Sequence, residues 1–200
     1  YLHLVWINLK IDYQMKQKPT QNLPIKTVTT ILLMSSSALH SATVSWDATP
    51  GNGTHEDGVG TWDISTANNW TEDLGVSNTT FTDGDNVIFG GGTSGSAGLV
   101  SLGENLTANT VTFEPASAGS YTIDLAGNSL TTNNTFGAIT VNGGATATIS
   151  DSVGTGSWVV NNTASSTYTA SITGTLNVSA KVTGSGRMYT AGAGNLTLTN

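Results

Sequence analysis

From Thr43 to Asn200, Gly or Asn interrupts nearly every stretch that could hold an apolar period of 3.6, so no amphipathic helix is written into this part of the chain. Such a chain has to build its interior from short extended segments. Ten runs read this way, each bounded by Gly, Asn, Asp or Ser: Val87–Phe89, Leu99–Leu102, Val111–Phe113, Tyr121–Leu125, Ala138–Val141, Ala145–Ile149, Trp158–Val160, Tyr168–Ile172, Leu176–Val178 and Leu196–Leu198. With no Cys among 200 residues, disulfides and thiolate metal ligands are both excluded. Backbone hydrogen bonds and burial must hold the fold.

The expected class is all-β. A sandwich of this length would show longer strands and a denser set of large core residues. A parallel β-helix, or solenoid, needs only brief strands with Val, Ile, Leu, Ala and Thr inside and small polar turns outside. Thr146-Ala147-Thr148-Ile149 and Leu196-Thr197-Leu198-Thr199 suit it, because β-branched side chains pack well on a pleated face. The composition changes near Phe89-Gly90-Gly91-Gly92. Before it lie Trp46, Trp62, Trp70 and most of the acids; after it come Thr-, Gly- and Asn-rich runs of low charge. Residues 43–92 therefore read as an N-terminal β cap and residues 93–200 as rungs, the cap covering what would otherwise be an open sheet edge. No closing cap is visible before Asn200, and more chain is expected to follow.

Residues 1–42 read as upstream residues and a signal peptide. Met15 is the expected start; Lys16, Lys18 and Lys26 give a positive leading region, Val28–Met34 an apolar stretch, and Ser35–Ala42 a run of mostly small residues. The apolar stretch is far short of the roughly 20 residues of a membrane-crossing helix. Cleavage after Ala42 would put His40 at the third position before the bond, where a small residue is preferred, so the cut is placed near Ala42. Four of the six basic residues (Lys10, Lys16, Lys18, Lys26) and Asp12 of the 13 acids precede Thr43, which leaves residues 43–200 with two bases, 12 acids and a net charge of −10. A surface so poor in Lys and Arg cannot neutralise a run of phosphates, so neither nucleic acid nor an anionic membrane is an expected partner. No membrane-spanning segment is expected in the mature part.

One stretch is more distinctive than the rest: Thr61-Trp62-Asp63, then Ala67-Asn68-Asn69-Trp70, then Phe81-Thr82-Asp83-Gly84-Asp85-Asn86-Val87-Ile88-Phe89-Gly90. Val111-Thr112-Phe113 and Tyr121-Thr122-Ile123 follow in order. This text resembles the opening of bacterial proteins with autotransporter-associated β-strand repeats, over roughly Trp46 to Leu130. Gly192-Ala193-Gly194-Asn195-Leu196-Thr197-Leu198-Thr199 is similar to the start of the family's short repeat. The family's Tyr-Thr-Gly-Gly continuation is absent, and no barrel is present. The resemblance implies an exported, surface-located passenger with a right-handed β-helix, often tethered by a downstream outer-membrane β-barrel. Its role would be structural, with adhesion to a surface or glycan partner as an associated activity and no catalysis or cofactor of its own.

Candidate chemistry is sparse. His55 in Gly53-Thr54-His55-Glu56-Asp57-Gly58 has two neighbouring carboxylates that could orient an imidazole as a base, against the simpler reading of an exposed polar loop. Asp83, Asp85 and Asn86 put oxygens on one turn, as a Ca²⁺ site would, but lack the third spaced acid and bidentate Glu of an EF-hand loop; a capped turn explains them without metal. Trp62 and Trp70, with Trp46, could stack sugars or could be the core of the cap. The alternative function is accordingly a carbohydrate-binding or polysaccharide-cleaving β-helix module. From Val111 onward Glu114, Asp124, Asp151, Lys181 and Arg187 are too scattered to nominate a catalytic pair.

Overall fold

A computed structural model of the chain describes residues 41–64, 68–133, 136–161, 167–185 and 187–200. Every described residue lies in one compact unit, Ala38–Asn200. The expected leader before Ser41, and Ala67 of the distinctive stretch, lie outside the described residues.

Among the described residues there are only strands, and no helix long and apolar enough to cross a membrane. The series opens with β1 (Thr43–Trp46), β2 (Glu56–Asp57), β3 (Gly60–Trp62), β4 (Trp70–Thr71), β5 (Asn86–Phe89), β6 (Ser94–Gly95) and β7 (Ala97–Leu102). It continues through β8 (Leu106–Ala108), β9 (Thr110–Phe113), β10 (Gly119–Asp124), β11 (Ser129–Thr132), β12 (Phe136–Val141) and β13 (Thr146–Ser150). It closes with β14 (Ser157–Val160), β15 (Thr167–Ile172), β16 (Thr175–Val178), β17 (Lys181–Thr183), β18 (Arg187–Ala191) and β19 (Asn195–Leu198).

Three sheets take these strands in rotation. Their orders are β18-β15-β12-β9-β5-β1-β4, β19-β16-β13-β10-β7-β3 and β17-β14-β11-β8, beside a small β2-β6 pair. From β8 onward each strand pairs in parallel with the one three places later. That order is compatible with a solenoid of three strands per coil. The pairing of β1 with β4 is antiparallel.

Parallel sheets usually bury both faces and read as continuous apolar runs. Here one face is outside, and the strands alternate instead: β5, β9, β11, β14 and β16 all bury their second and fourth residues. The registers turn this alternation into ladders. Val44, Val87, Val111, Ile139 and Ala170 stack in one line, and Val100, Ile123, Ile149 and Val178 in another, all buried. Outward positions carry ladders such as Thr122, Thr148, Asn177 and Thr197.

Turns are tied by polar side chains across similar spacings. The Asn86 side-chain oxygen accepts from Thr110 Oγ1, 24 positions on, and Glu114 accepts from Asn142 Nδ2, 28 positions on. At the N-terminal side the strands β1, β3 and β5 belong to the same sheets as the later ones. The composition change near Phe89–Gly92 therefore marks where a tryptophan-rich interior gives way to a mostly aliphatic one that still holds Phe113, Tyr121 and Trp158, while the hydrogen-bonded sheets run through it.

Candidate functional site

The aromatic interior is a single packed group. Trp62 meets Trp70, Phe81 and Phe89 at ring-centroid distances of 5.5, 5.2 and 5.4 Å, edge-to-face in each case. Trp46 meets Trp70 edge-to-face at 5.2 Å, and Phe89 stacks on Phe113 at 5.6 Å. These are the separations at which ring edges and faces attract. Trp46, Trp62, Trp70, Phe81 and Phe89 are all 0% exposed. A sugar-stacking platform needs an open ring face, and neither Trp62 nor Trp70 offers one in this structure. Both belong to the core between β3, β4 and β5.

Beneath the aromatics lies a group of buried polar side chains. The Tyr121 hydroxyl on β10 donates to Asp57 Oδ1 on β2 at 3.0 Å and accepts from the Gly58 N–H at 3.3 Å. Asp57 Oδ2 accepts the Ser117 N–H at 2.7 Å. Burial, reinforced by the Asp57 carboxylate, pushes the Tyr121 phenol far above the ordinary tyrosine range. It stays protonated at neutral pH and can act as the donor of this network.

His55 is not in an exposed loop. It is 5% exposed, and its Nε2 lies 2.8 Å from the carbonyl oxygen of Trp46. A carbonyl only accepts, so Nε2 carries the hydrogen of this bond. Among the described residues Nδ1 has no hydrogen-bond partner, and Asp57 turns its carboxylate to Tyr121 and Ser117. The adjacent acids therefore do not orient the imidazole. The polar loop is packed down because the Ala48 N–H bonds the Glu56 carbonyl and the Thr93 N–H bonds that of His55. Asp47, fully buried, accepts the Thr49 N–H at 3.2 Å through Oδ1.

The candidate calcium ligands are occupied as turn caps. Asp85 accepts the Ala42 N–H through Oδ1 and the Thr82 N–H through Oδ2, each at 2.9 Å. Asp83 Oδ1 accepts the Thr107 N–H at 2.8 Å, and the Asn86 side-chain oxygen accepts from Asn109 Nδ2 at 2.8 Å. Among the described residues no group of three or more His, Cys, Asp or Glu side chains is gathered as a metal site. Asp124 and Asp151 serve turns as well: Asp124 accepts from the N–H and hydroxyl of Ser152, and Asp151 from the N–H groups of Gly127 and Gly156. Burial raises the Asp124 carboxyl, but the Ser152 and Ala126 hydrogen bonds outweigh it and hold the carboxyl below the usual aspartate value.

No family model matches the chain, nor does any curated protein or solved structure at a significant level.

What the sequence left hidden here is the partnership of Asp57 with Tyr121, 64 positions apart. Neither residue type nor spacing marks it. The only cue was that Tyr121 opens an apolar run whose inward positions are otherwise aliphatic. The arrangement locks the β2 segment to β10; it gathers neither a nucleophile with a base nor paired carboxylates.

Proposed function

We propose that residues 43–200 are part of an exported, surface-located passenger that folds as a right-handed β-helix with an aromatic N-terminal cap, and whose role is structural and adhesive. The observation that carries this reading is the three-strand rotation in parallel register, an order compatible with a solenoid extended by repetition. The resemblance to autotransporter-associated repeats supports it, because its motif residues do one physical job. Trp62, Trp70, Phe81, Val87, Phe89, Val111, Phe113, Tyr121 and Ile123 are all buried. Asp85 and Asn86 fasten the turn that leads into β5. In this reading function resides in exposed loops.

The test is to express the full chain in a Gram-negative bacterial host and determine the N-terminus of the product in each cell fraction. A product outside the cytoplasm beginning near Thr43 is expected. A cytoplasmic product that retains Met15–Ala42 overturns the export reading.

A further inference from the structure

We propose that Asn52-Gly53 is a self-modifying step, at which the folded turn between β1 and β2 converts the Asn52 amide into an acid. This inference does not depend on the export reading.

Asn-Gly occurs twice in the sequence, at Asn52-Gly53 and Asn142-Gly143. At such a step the glycine nitrogen can attack the side-chain amide carbon before it, because glycine has no Cβ to shield that nitrogen. As dipeptides the two are equivalent. The fold separates them.

Access differs first. Asn52, Gly53 and Thr54 are all exposed, and a Cβ on Gly53 would meet nothing within 4 Å, so a ring closing there has room. Asn142 is half-buried. Polarisation of the amide differs as well. Asn52 Oδ1 accepts the Thr54 N–H at 2.8 Å and the Thr54 hydroxyl at 2.5 Å. That hydroxyl lies 3.4 Å from Glu56 Oε1, so its one hydrogen goes to the nearer oxygen, on Asn52. Two donors on Oδ1 draw electrons from Cγ and face the negative charge this oxygen carries once nitrogen has added, as an oxyanion hole does. At Asn142 the pull runs the other way. Its Nδ2 donates to Glu114 Oε1 at 2.6 Å, and a carboxylate on the amide hydrogen pushes electrons toward Cγ. The Asn52 Nδ2 donates instead to the neutral Thr49 hydroxyl at 3.2 Å.

The reaction needs only water. Gly53 N–H loses its proton to solvent hydroxide, and the nitrogen lone pair bonds to Asn52 Cγ while the carbonyl electron pair moves to Oδ1. As that pair returns, the Cγ–Nδ2 bond breaks and Nδ2, protonated by water, leaves as ammonia. Water then opens the five-membered imide at either carbonyl, giving aspartate or an isoaspartyl linkage at position 52. One bond restrains the first step: the Gly53 N–H donates to the Gly75 carbonyl. At 3.2 Å it is long for an N–H···O bond, and it must open before the nitrogen can turn to Cγ. An isoaspartyl product carries one more methylene in the main chain and cannot keep this tie in register.

Peptide mapping of the full chain, aged in ¹⁸O-water at mildly alkaline pH, tests this, with isoaspartyl residues detected by an isoaspartyl methyltransferase. A urea-unfolded sample supplies the intrinsic ratio of the two rates. In the folded chain the ratio of Asn52 to Asn142 conversion should rise above that value by about tenfold or more, with ¹⁸O and isoaspartate at position 52. Thr54→Val keeps the N–H and removes the hydroxyl, and should slow Asn52 by about tenfold while leaving Asn142 unchanged. A folded ratio equal to the unfolded one, an Asn52 that stays intact while the unfolded chain converts, or a Thr54→Val variant that reacts as fast as the parent would each overturn the proposal.

Discussion

The Tyr121 hydroxyl donates to Asp57 Oδ1 at 3.0 Å across 64 positions of sequence, and both side chains are 3% exposed or less. Replacing Tyr121 by Phe leaves the Gly58 N–H without its acceptor and Asp57 Oδ1 without its donor inside the protein. Unmade buried hydrogen bonds of this kind cost about 1–3 kcal/mol. Urea unfolding of Tyr121→Phe should show a lower midpoint with an unchanged slope; a midpoint equal to that of the parent would mean that the pair holds nothing together.

The tryptophan core makes an optical prediction. Trp46, Trp62, Trp70 and Trp158 are all 0% exposed. In a Trp6→Phe background, native emission should therefore be blue-shifted and weakly quenched by acrylamide, and oligosaccharides should leave it unmoved. Trp62→Ala should cost about 3–5 kcal/mol, as large aromatic truncations in cores do. Saccharide-dependent quenching would instead show a ring face open to solvent.

Asp124 should make stability depend on pH in a defined direction. Its carboxyl lies below the ordinary aspartate value in the folded protein, so its contribution is fully present above that ordinary value and is lost as pH falls through the lower folded value. The unfolding midpoint should thus decline below about pH 4. In Asp124→Asn the starting stability should be lower and this part of the decline smaller. A parallel pH profile for the two proteins would assign the acid sensitivity to other carboxylates.

Asp85 separates a turn cap from a metal ligand. Because both of its oxygens already accept backbone N–H groups, chelator treatment should leave Tm unchanged. Asp85→Ala should lower stability by about 1–3 kcal/mol whether or not calcium is added, by exposing two unmet donors. A Tm that rises with calcium in the parent and not in the variant would reverse this assignment.

Gly90 and Gly84 form a matched pair for backbone strain. Both have left-handed φ, +92° and +96°. A Cβ on Gly90 would sit 2.1 Å from the Glu114 carbonyl oxygen, whereas one on Gly84 would meet nothing within 4 Å. Gly84→Ala should cost about 1 kcal/mol from conformation alone. Gly90→Ala must also displace the strand end and should cost clearly more. Equal losses in chemical denaturation would mean that the approach of Gly90 to the Glu114 backbone is looser than its geometry.

The amino-acid sequence by itself determined the class of structure. Interruption by Gly and Asn forbade helices, and each of the ten apolar runs coincides with a strand between β5 and β19, only Leu125 and Ala145 falling one residue outside theirs. It did not reveal β8, β11 or β17, the strands of the smaller sheet flanking Trp158. Leu-Thr-Ala, Ser-Leu-Thr-Thr and Lys-Val-Thr each carry a single large apolar residue and are indistinguishable from loop. They become strands because parallel pairing within the sheet holds Leu106, Leu130, Trp158 and Val182 in one register. The fate of His55, Asp57, Trp62 and Trp70 was likewise decided in three dimensions. A polar loop or an aromatic pair can face either way until something packs over it, and here β5, β7 and β10 supply that cover. Local pattern fixes whether a residue can be extended; burial and hydrogen-bond partners depend on chain tens of positions away, which only the tertiary structure brings near.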